Sequence, residues 1–432
     1  MIIRGLVLTT AALVALLAFL AYEDLPEAIE DRYRAMLFVG VYKLLTITPF
    51  EFLDFIGYGS LFDNMKEVGR FPEPDLSSDP HSASFGIMEV TRDKLAGVQV
   101  IVYRPKHVAE GEMLPGLIYF HGGGWCMHHP DIHDKTTHQM ANCTRKVLIS
   151  VDYRLAPANP FPIPVEDCLD VTKHLLKHGK SLGIDVNNIA ISGDSAGGNL
   201  AAAVTLALAK EKNSGLPALK YQILAYPVTQ ALNLRLPSMV EIGERIPLPS
   251  AQRMAGFWAA YLGLDSRKLD ECALIMKYNH HVPPQLLNNS KYSKYLDVQN
   301  LPEKFRKPRP EIMGSYFTPP EKAGVISSYD AQLYDQIKDT LVNPLLSPLM
   351  ATDLSGLPPA LVVVAEFDVL RDEGLLYAHR LREAGVKTDV YITRGYHCDF
   401  IHMFPSFLHS KTGEKTLNAM CSFMEREGQP IV

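Results

Sequence analysis

"NIAISGDSAGGNLAAAVTLALA", residues 188–209, decides the fold. Apolar residues lead into Gly193-Asp194-Ser195-Ala196-Gly197, and an alanine-rich helical run leaves it. A Gly-x-Ser-x-Gly pentad is cheap by itself. Between a strand and a helix it reads as a sharp elbow, whose glycines let the chain turn tightly enough to push the serine outward. Ser195 Oγ then sits at a helix N-terminus, where the helix dipole favours developing negative charge.

Working outward, apolar runs alternate with amphipathic ones. Strands are expected at 98–105, 114–120, 146–153, 188–193, 221–228, 359–368 and 388–393, and helices at 164–183, 197–211, 369–384 and 415–427. The central runs are rich in Val, Ile and Leu with little alternation, as in parallel strands covered on both faces. Such alternation predicts an α/β fold with a doubly wound, mostly parallel sheet. Residues 229–342 break the rhythm, with prolines, polar turns and one helical stretch, "PSAQRMAGFWAAYLG" (249–263). An insertion of this size between two strands reads as a helical cap over the sheet. The apolar, aromatic stretch 34–62 is expected beside it.

A serine needs a base to become nucleophilic, and the base needs an orienting acid. After such an elbow the chain order is serine, acid, histidine. Asp368 ends the run "PALVVVAEFD", and His397 follows the last strand in "ITRGYHCDF". Glu366, Asp372, Glu373 and His402 are the nearest rivals. An oxyanion in the reaction would require backbone N–H donors already in place. Ala196, next after the nucleophile, supplies one. "HGGGWC" (121–126) follows an earlier strand and supplies others. Gly123 and Gly124 are the expected donors. His121 and Gly122 shape the loop, the histidine bracing it by hydrogen bonding.

"HGGGW", "DYRLAPANPFP", "GDSAGGNLA", "EFDVLRDEG" and the later "GYH" resemble the hormone-sensitive lipase family of α/β-hydrolases. Together with the N-terminal apolar run and the cap length, "HGGGWC" looks most like its arylacetamide deacetylase and neutral cholesterol ester hydrolase branch. The resemblance implies an α/β-hydrolase fold, a Ser195–Asp368–His397 triad and hydrolysis of lipophilic carboxylic esters or arylacetamides without a cofactor. Two departures stand out. Cys398 follows the histidine where glycine is usual. Ala365 occupies the place of a cysteine that pairs with the one after "HGGGW", which leaves Cys126 without that partner. A non-catalytic ligand-binding or adhesion relative is the alternative, and such proteins typically lose a triad residue.

The chain has 432 residues, 47% of them hydrophobic and 21% charged, with net charge −6. This excludes a disordered or fibrous chain, and the absence of a long basic run disfavours nucleic acid as a partner. "GLVLTTAALVALLAFLAY" (5–22) carries no charge and as a helix spans roughly 27 Å, enough for a bilayer core. Arg4 precedes it and acidic residues follow. The expected organisation is a short cytoplasmic tail (1–4), an uncleaved signal anchor (5–22) with a cleaved signal peptide as the alternative, an N-terminal cap or linker segment (23–85) and a catalytic domain (86–432). That domain would lie in the lumen of the endoplasmic reticulum, as in a single-pass type II protein. Sequons at Asn142 and Asn288 suit that side. Six cysteines are scattered without a CxxC pair, so no zinc site is expected. His128, His129, His133 and His138 have irregular spacings for metal ligands.

Overall fold

The computed structural model describes residues 25–42, 87–211, 215–245, 249–313, 329–396 and 411–429. The apolar segment 5–22, most of 34–62, and both His397 and His402 lie outside these residues. Among the described residues, no helix is long and apolar enough to cross a membrane.

Eight strands form one sheet: β1 (Met88–Leu95), β2 (Val98–Pro105), β3 (Leu114–Phe120), β4 (Val147–Asp152), β5 (Ile184–Asp194), β6 (Gln222–Ala225), β7 (Ala360–Phe367) and β8 (Thr388–Tyr396). Their spatial order is β1-β2-β4-β3-β5-β6-β7-β8. β2 runs antiparallel to both neighbours, and the strands from β4 to β8 pair in parallel. Every expected strand is present. β1 was not expected, and its sequence explains why. "MEVTRDKL" exposes its six inner residues, so it has no apolar alternation to read. Charged side chains of this kind blunt an edge strand against further pairing.

Alternate residues of β3 enter two separate cores. Ile118 and Phe120 face one, and Leu117 and Tyr119 face the other. On the larger core lie α3 (Ile163–His178), α4 (Ala196–Lys210) and α9 (Arg371–Glu383). On the smaller lie α2 (Asp134–Thr144) and α10 (Lys411–Glu425), joined by a Cys143–Cys421 disulfide. α1 (Arg32–Tyr42) belongs to the segment before the sheet. Just ahead of it, Glu30 N donates to Arg394 O of β8 (3.1 Å), and Asp31 accepts from Lys411 N at the start of α10 (2.9 Å). The insertion between β6 and β7 carries α5 (Pro237–Ile242), α6 (Ala251–Tyr261), α7 (Leu269–Lys277) and α8 (Ala331–Leu341).

Candidate active site

β5 ends at Asp194, and α4 begins at Ala196. Ser195, between them, has φ +54° and ψ −119°. Strain of this kind costs on the order of 1–3 kcal/mol and persists only where the surroundings enforce it. Here they do. Ser195 N donates to Ala225 O of β6 (2.9 Å), and Ser195 O accepts from Val228 N (3.2 Å). A Cβ on Gly193 would lie 2.3 Å from Gly197 O, and one on Gly197 would lie 2.0 Å from Phe120 O. Asn199, one turn into α4, donates from Nδ2 to Val228 O and Leu346 O, both at 2.9 Å.

The glycine loop after β3 packs directly on this elbow. Gly122 N donates to Asp194 Oδ1 (2.9 Å), and Tyr119 OH donates to the same oxygen (2.6 Å). The three glycines are required for room as well as for open donors. A Cβ would lie 2.3 Å from Asp194 Oδ2 at Gly122, 2.2 Å from Met127 O at Gly123 and 2.4 Å from the Phe257 ring at Gly124. Gly123 and Gly124 also have φ of +115° and +60°. Among the described residues, no hydrogen bond engages the N–H of Gly123, Gly124 or Ala196. His121 Nδ1 donates to Gly122 O (2.7 Å), and its ring stacks on Tyr153 at 4.3 Å. Tyr153 OH donates to His121 O (2.7 Å).

Asp194 has no role that its position in the pentad announces, yet it is the hub of this side. It is wholly buried, with His133 Nε2 3.5 Å from its Oδ1. Burial works to raise its pKa, but His133, Tyr119 and His121 outweigh it and hold the carboxyl at about 2. Burial, then the neighbouring His133, lowers His121 and His128 to about 3, so both are neutral imidazoles at physiological pH. His133 lies between them, with ring centroids 5.7 Å from His121 and 5.8 Å from His128. Among the described residues, no group of three His, Cys, Asp or Glu is placed to hold a metal ion.

Asp368 directly follows β7, one strand removed from the elbow because β6 lies between. Adjacent strands are about 4.8 Å apart, so two spacings, roughly 10 Å, separate the two strands, a gap that an imidazole hydrogen-bonded on both sides can bridge. Asp368 is buried and accepts at Oδ1 from Leu370 N (2.9 Å). The rival carboxylates are engaged elsewhere. Glu366 pairs with Arg309 (2.7 Å) and Lys304 (3.2 Å). Asp372 pairs with Arg371 (2.8 Å) and accepts from Ser238 N (2.6 Å). Glu373 accepts from Thr229 N (2.7 Å) and Gln230 Nε2 (3.0 Å).

The aromatic pair of α6 splits in two. Trp258 is fully buried against Trp125, their centroids 4.6 Å apart, and Trp125 stacks on Tyr261 at 4.2 Å. Phe257 instead covers Gly124, a contact that no sequence pattern signalled. Asn142 lies on α2, half-buried, and Asn288 is exposed at the end of a short helix, Pro284–Asn288. Cys126 is a buried free thiol beside the loop.

Residues 117–293 and 306–402 match the family described as having an alpha/beta hydrolase fold. Arylacetamide deacetylase of Oryctolagus cuniculus is 34% identical over 88% of this chain and 90% of its own. Neutral cholesterol ester hydrolase 1 of Mus musculus is 28% identical over 96% of this chain and 98% of its own. Among solved structures, an esterase of Pyrobaculum calidifontis is 29% identical with a TM-score of 0.54, covering 79% of this chain and 86% of its own. A thermophilic carboxylesterase from a metagenomic library is 28% identical with a TM-score of 0.53, covering 80% and 90%.

Proposed function

Because this chain belongs to the alpha/beta hydrolase fold family, in its arylacetamide deacetylase and neutral cholesterol ester hydrolase branch, we propose that Ser195 attacks lipophilic carboxylic esters and carries the acyl group. The chain is a serine hydrolase of carboxylic esters. In the proposed mechanism His397 takes the Ser195 proton as Oγ bonds to the carbonyl carbon. Asp368 holds the imidazole in the right tautomer and offsets its positive charge. The N–H groups of Gly123, Gly124 and Ala196 receive the oxyanion. Collapse expels the alcohol, protonated by His397. Water, deprotonated by the same histidine, then frees the acid and restores Ser195. No cofactor enters.

The observation that carries this reading is the strained Ser195, φ +54° at the mouth of α4, beside a loop whose glycine N–H groups are unengaged among the described residues. Ser195→Ala is expected to lower kcat on a short p-nitrophenyl ester by on the order of 10⁴-fold or more and to abolish labelling by a fluorophosphonate. Full turnover in that variant would remove the assignment. His397→Gln is expected to be nearly inactive and His402→Gln to keep most activity; the reverse would move the base to His402.

The names of the relatives point to aromatic acetamides and sterol esters as their substrates. A lipophilic ester is the corresponding reading here, supported by the apolar segment 5–22 as a signal anchor. Arg4 on one side and the acidic residues on the other favour a type II orientation with the catalytic domain in the endoplasmic reticulum lumen. Two features support an oxidising, glycosylating compartment: the Cys143–Cys421 disulfide and the exposed Asn288 sequon. Retention in the membrane fraction after carbonate, with a glycosidase-sensitive mobility shift, is the expected result. Release by carbonate and an unshifted band would together end the lumenal, membrane-held reading and leave the hydrolase intact.

A further inference from the structure

The turn that carries Asp368 is gripped by the cap insertion. Ser238, in α5, donates from Oγ to Val369 O (2.8 Å), and its N–H donates to Asp372 Oδ2 (2.6 Å). Arg371, fully buried, reaches Glu241 of α5 from Nη1 (3.0 Å) and Glu366 O from the same nitrogen (3.1 Å). Arg309, also in the insertion, clamps Glu241 through its own N–H (3.0 Å) and Nε (3.0 Å), and Glu366 through Nη1 (2.7 Å). Phe305 floors the array, with the Arg371 guanidinium 4.0 Å from its ring centroid and that of Arg309 at 5.4 Å. The cap thus ties both ends of 366–372, Arg309 holding Glu366 at one and Ser238 and Glu241 holding Asp372 and Arg371 at the other, and Asp368 lies between the ties. Arg371 N also donates to Asp368 O (3.2 Å).

Burying this many charges is a poor route to stability. Desolvation consumes most of the Coulombic gain, and apolar packing of the same volume serves as well or better. A buried ionic array does fix geometry, because its partners tolerate few other arrangements. We infer that Glu241 and Arg309 of the cap are positioning residues for ester hydrolysis, holding the 366–372 turn so that the Asp368 carboxylate meets the base. The inference rests on Asp368 being the acid, as proposed above. It makes the cap part of the catalytic machinery as well as a cover, since any shift of α5 or of the 303–313 segment is passed to the acid.

A double-mutant cycle with Asp368 separates this role from simple gluing of the cap. Arg309→Met is expected to lower kcat about 10-fold to 100-fold with KM changed less than about 3-fold, the mark of a misaligned group. Asp368→Asn should cost on the order of 10⁴-fold in kcat. In the Asp368→Asn background Arg309→Met should change kcat by under about 2-fold, because its effect runs through the missing carboxylate. Glu366→Gln, which loosens one end of the clamp, should follow the same pattern with a smaller loss and serves if Arg309→Met does not fold. Equal losses in both backgrounds, a change confined to KM, or an unchanged kcat would overturn the inference alone. Full activity of Asp368→Asn would overturn it together with the acid assignment.

Discussion

Asp194 and Glu373 are both buried carboxyls, one beneath the nucleophile and one behind the acid, and they are held in opposite charge states. Asp194 is kept at about 2 although burial opposes this, because His133, the Tyr119 hydroxyl and His121 together outweigh it. Glu373 is pushed to about 8, first by burial and then by Asp368 and Asp372, with Thr229 N–H and Gln230 offsetting only part. Depth is the same on the two sides. What differs is whether the neighbours favour the carboxylate, as the donors and imidazoles around Asp194 do, or add negative charge, as Asp368 and Asp372 do beside Glu373. The nucleophile side is organised around a fixed anion. The acid side already contains anions and excludes another.

The largest effect should come from removing that fixed anion. Asp194→Asn preserves shape but replaces charge-assisted bonds from Tyr119 OH and Gly122 N with weaker neutral ones. A loss on the order of 3 kcal/mol in unfolding free energy is expected. Since Gly122 anchors the glycine loop, kcat should also fall, on the order of 10²-fold. Chemical denaturation and kinetics of one purified variant check both. The folded pKa lies below the ordinary carboxylate value, so the stabilisation is fully present above pH ~4 and lost only as pH falls toward 2. Between pH 5 and 8 the difference between the two proteins should therefore be flat. A difference that grows or shrinks across that window would mean that a charge on this side changes there, and the contrast with Glu373 would fail.

The same division runs through what the sequence discloses. The elbow and the glycine loop are short, local patterns, and their residues come together through adjacent parallel strands, so Ser195, Ala196 and Gly122–Gly124 were legible. The seven apolar strand runs were legible for the same reason. Local patterning fails where partners are remote. Arg371 and Glu241 are 130 residues apart and carry no mutual signature. Cys143 and Cys421 are 278 apart, and only the folded sheet sets α2 against α10. α2 itself was hidden because "DKTTHQMANCT" presents histidine and threonine where a helix would show apolar spacing. Asp194 was visible as a letter but mute, since its meaning comes from Tyr119, 75 residues earlier, and His133. From the sequence, Gly123 and Gly124 are expected as N–H donors and Gly122 as a residue that shapes the loop. The structure adds that they also clear space for Asp194, Met127 and Phe257.

The smallest expected effect is the most diagnostic. Glu373 has a folded pKa near 8 against an ordinary value of 4.5. Below pH ~4.5 both folded and unfolded chains hold this proton and the shift costs nothing. As pH rises toward 8, the unfolded chain releases the proton while the fold retains it, so unfolding is favoured progressively. Glu373→Gln carries no titrating proton, and its amide still offers an oxygen to Thr229 N–H. Its stability relative to the parent should therefore climb between pH 5 and pH 8, by on the order of 3 kcal/mol, with no change in kcat implied. Gln230 sets a limit on that gain, because its Nε2 donates to the carboxyl at 3.0 Å and would meet an NH₂ group if the new amide faced the wrong way. The slope with pH is unaffected by that fixed cost and is the quantity to read. Denaturant titrations of parent and variant at pH 5, 6.5 and 8 give it directly. A rising difference for Glu373→Gln beside a flat one for Asp194→Asn would establish that the site is flanked by one permanently charged and one neutral carboxyl. Parallel flat lines would show Glu373 to be ionised throughout, with its two donors outweighing both burial and the neighbouring aspartates.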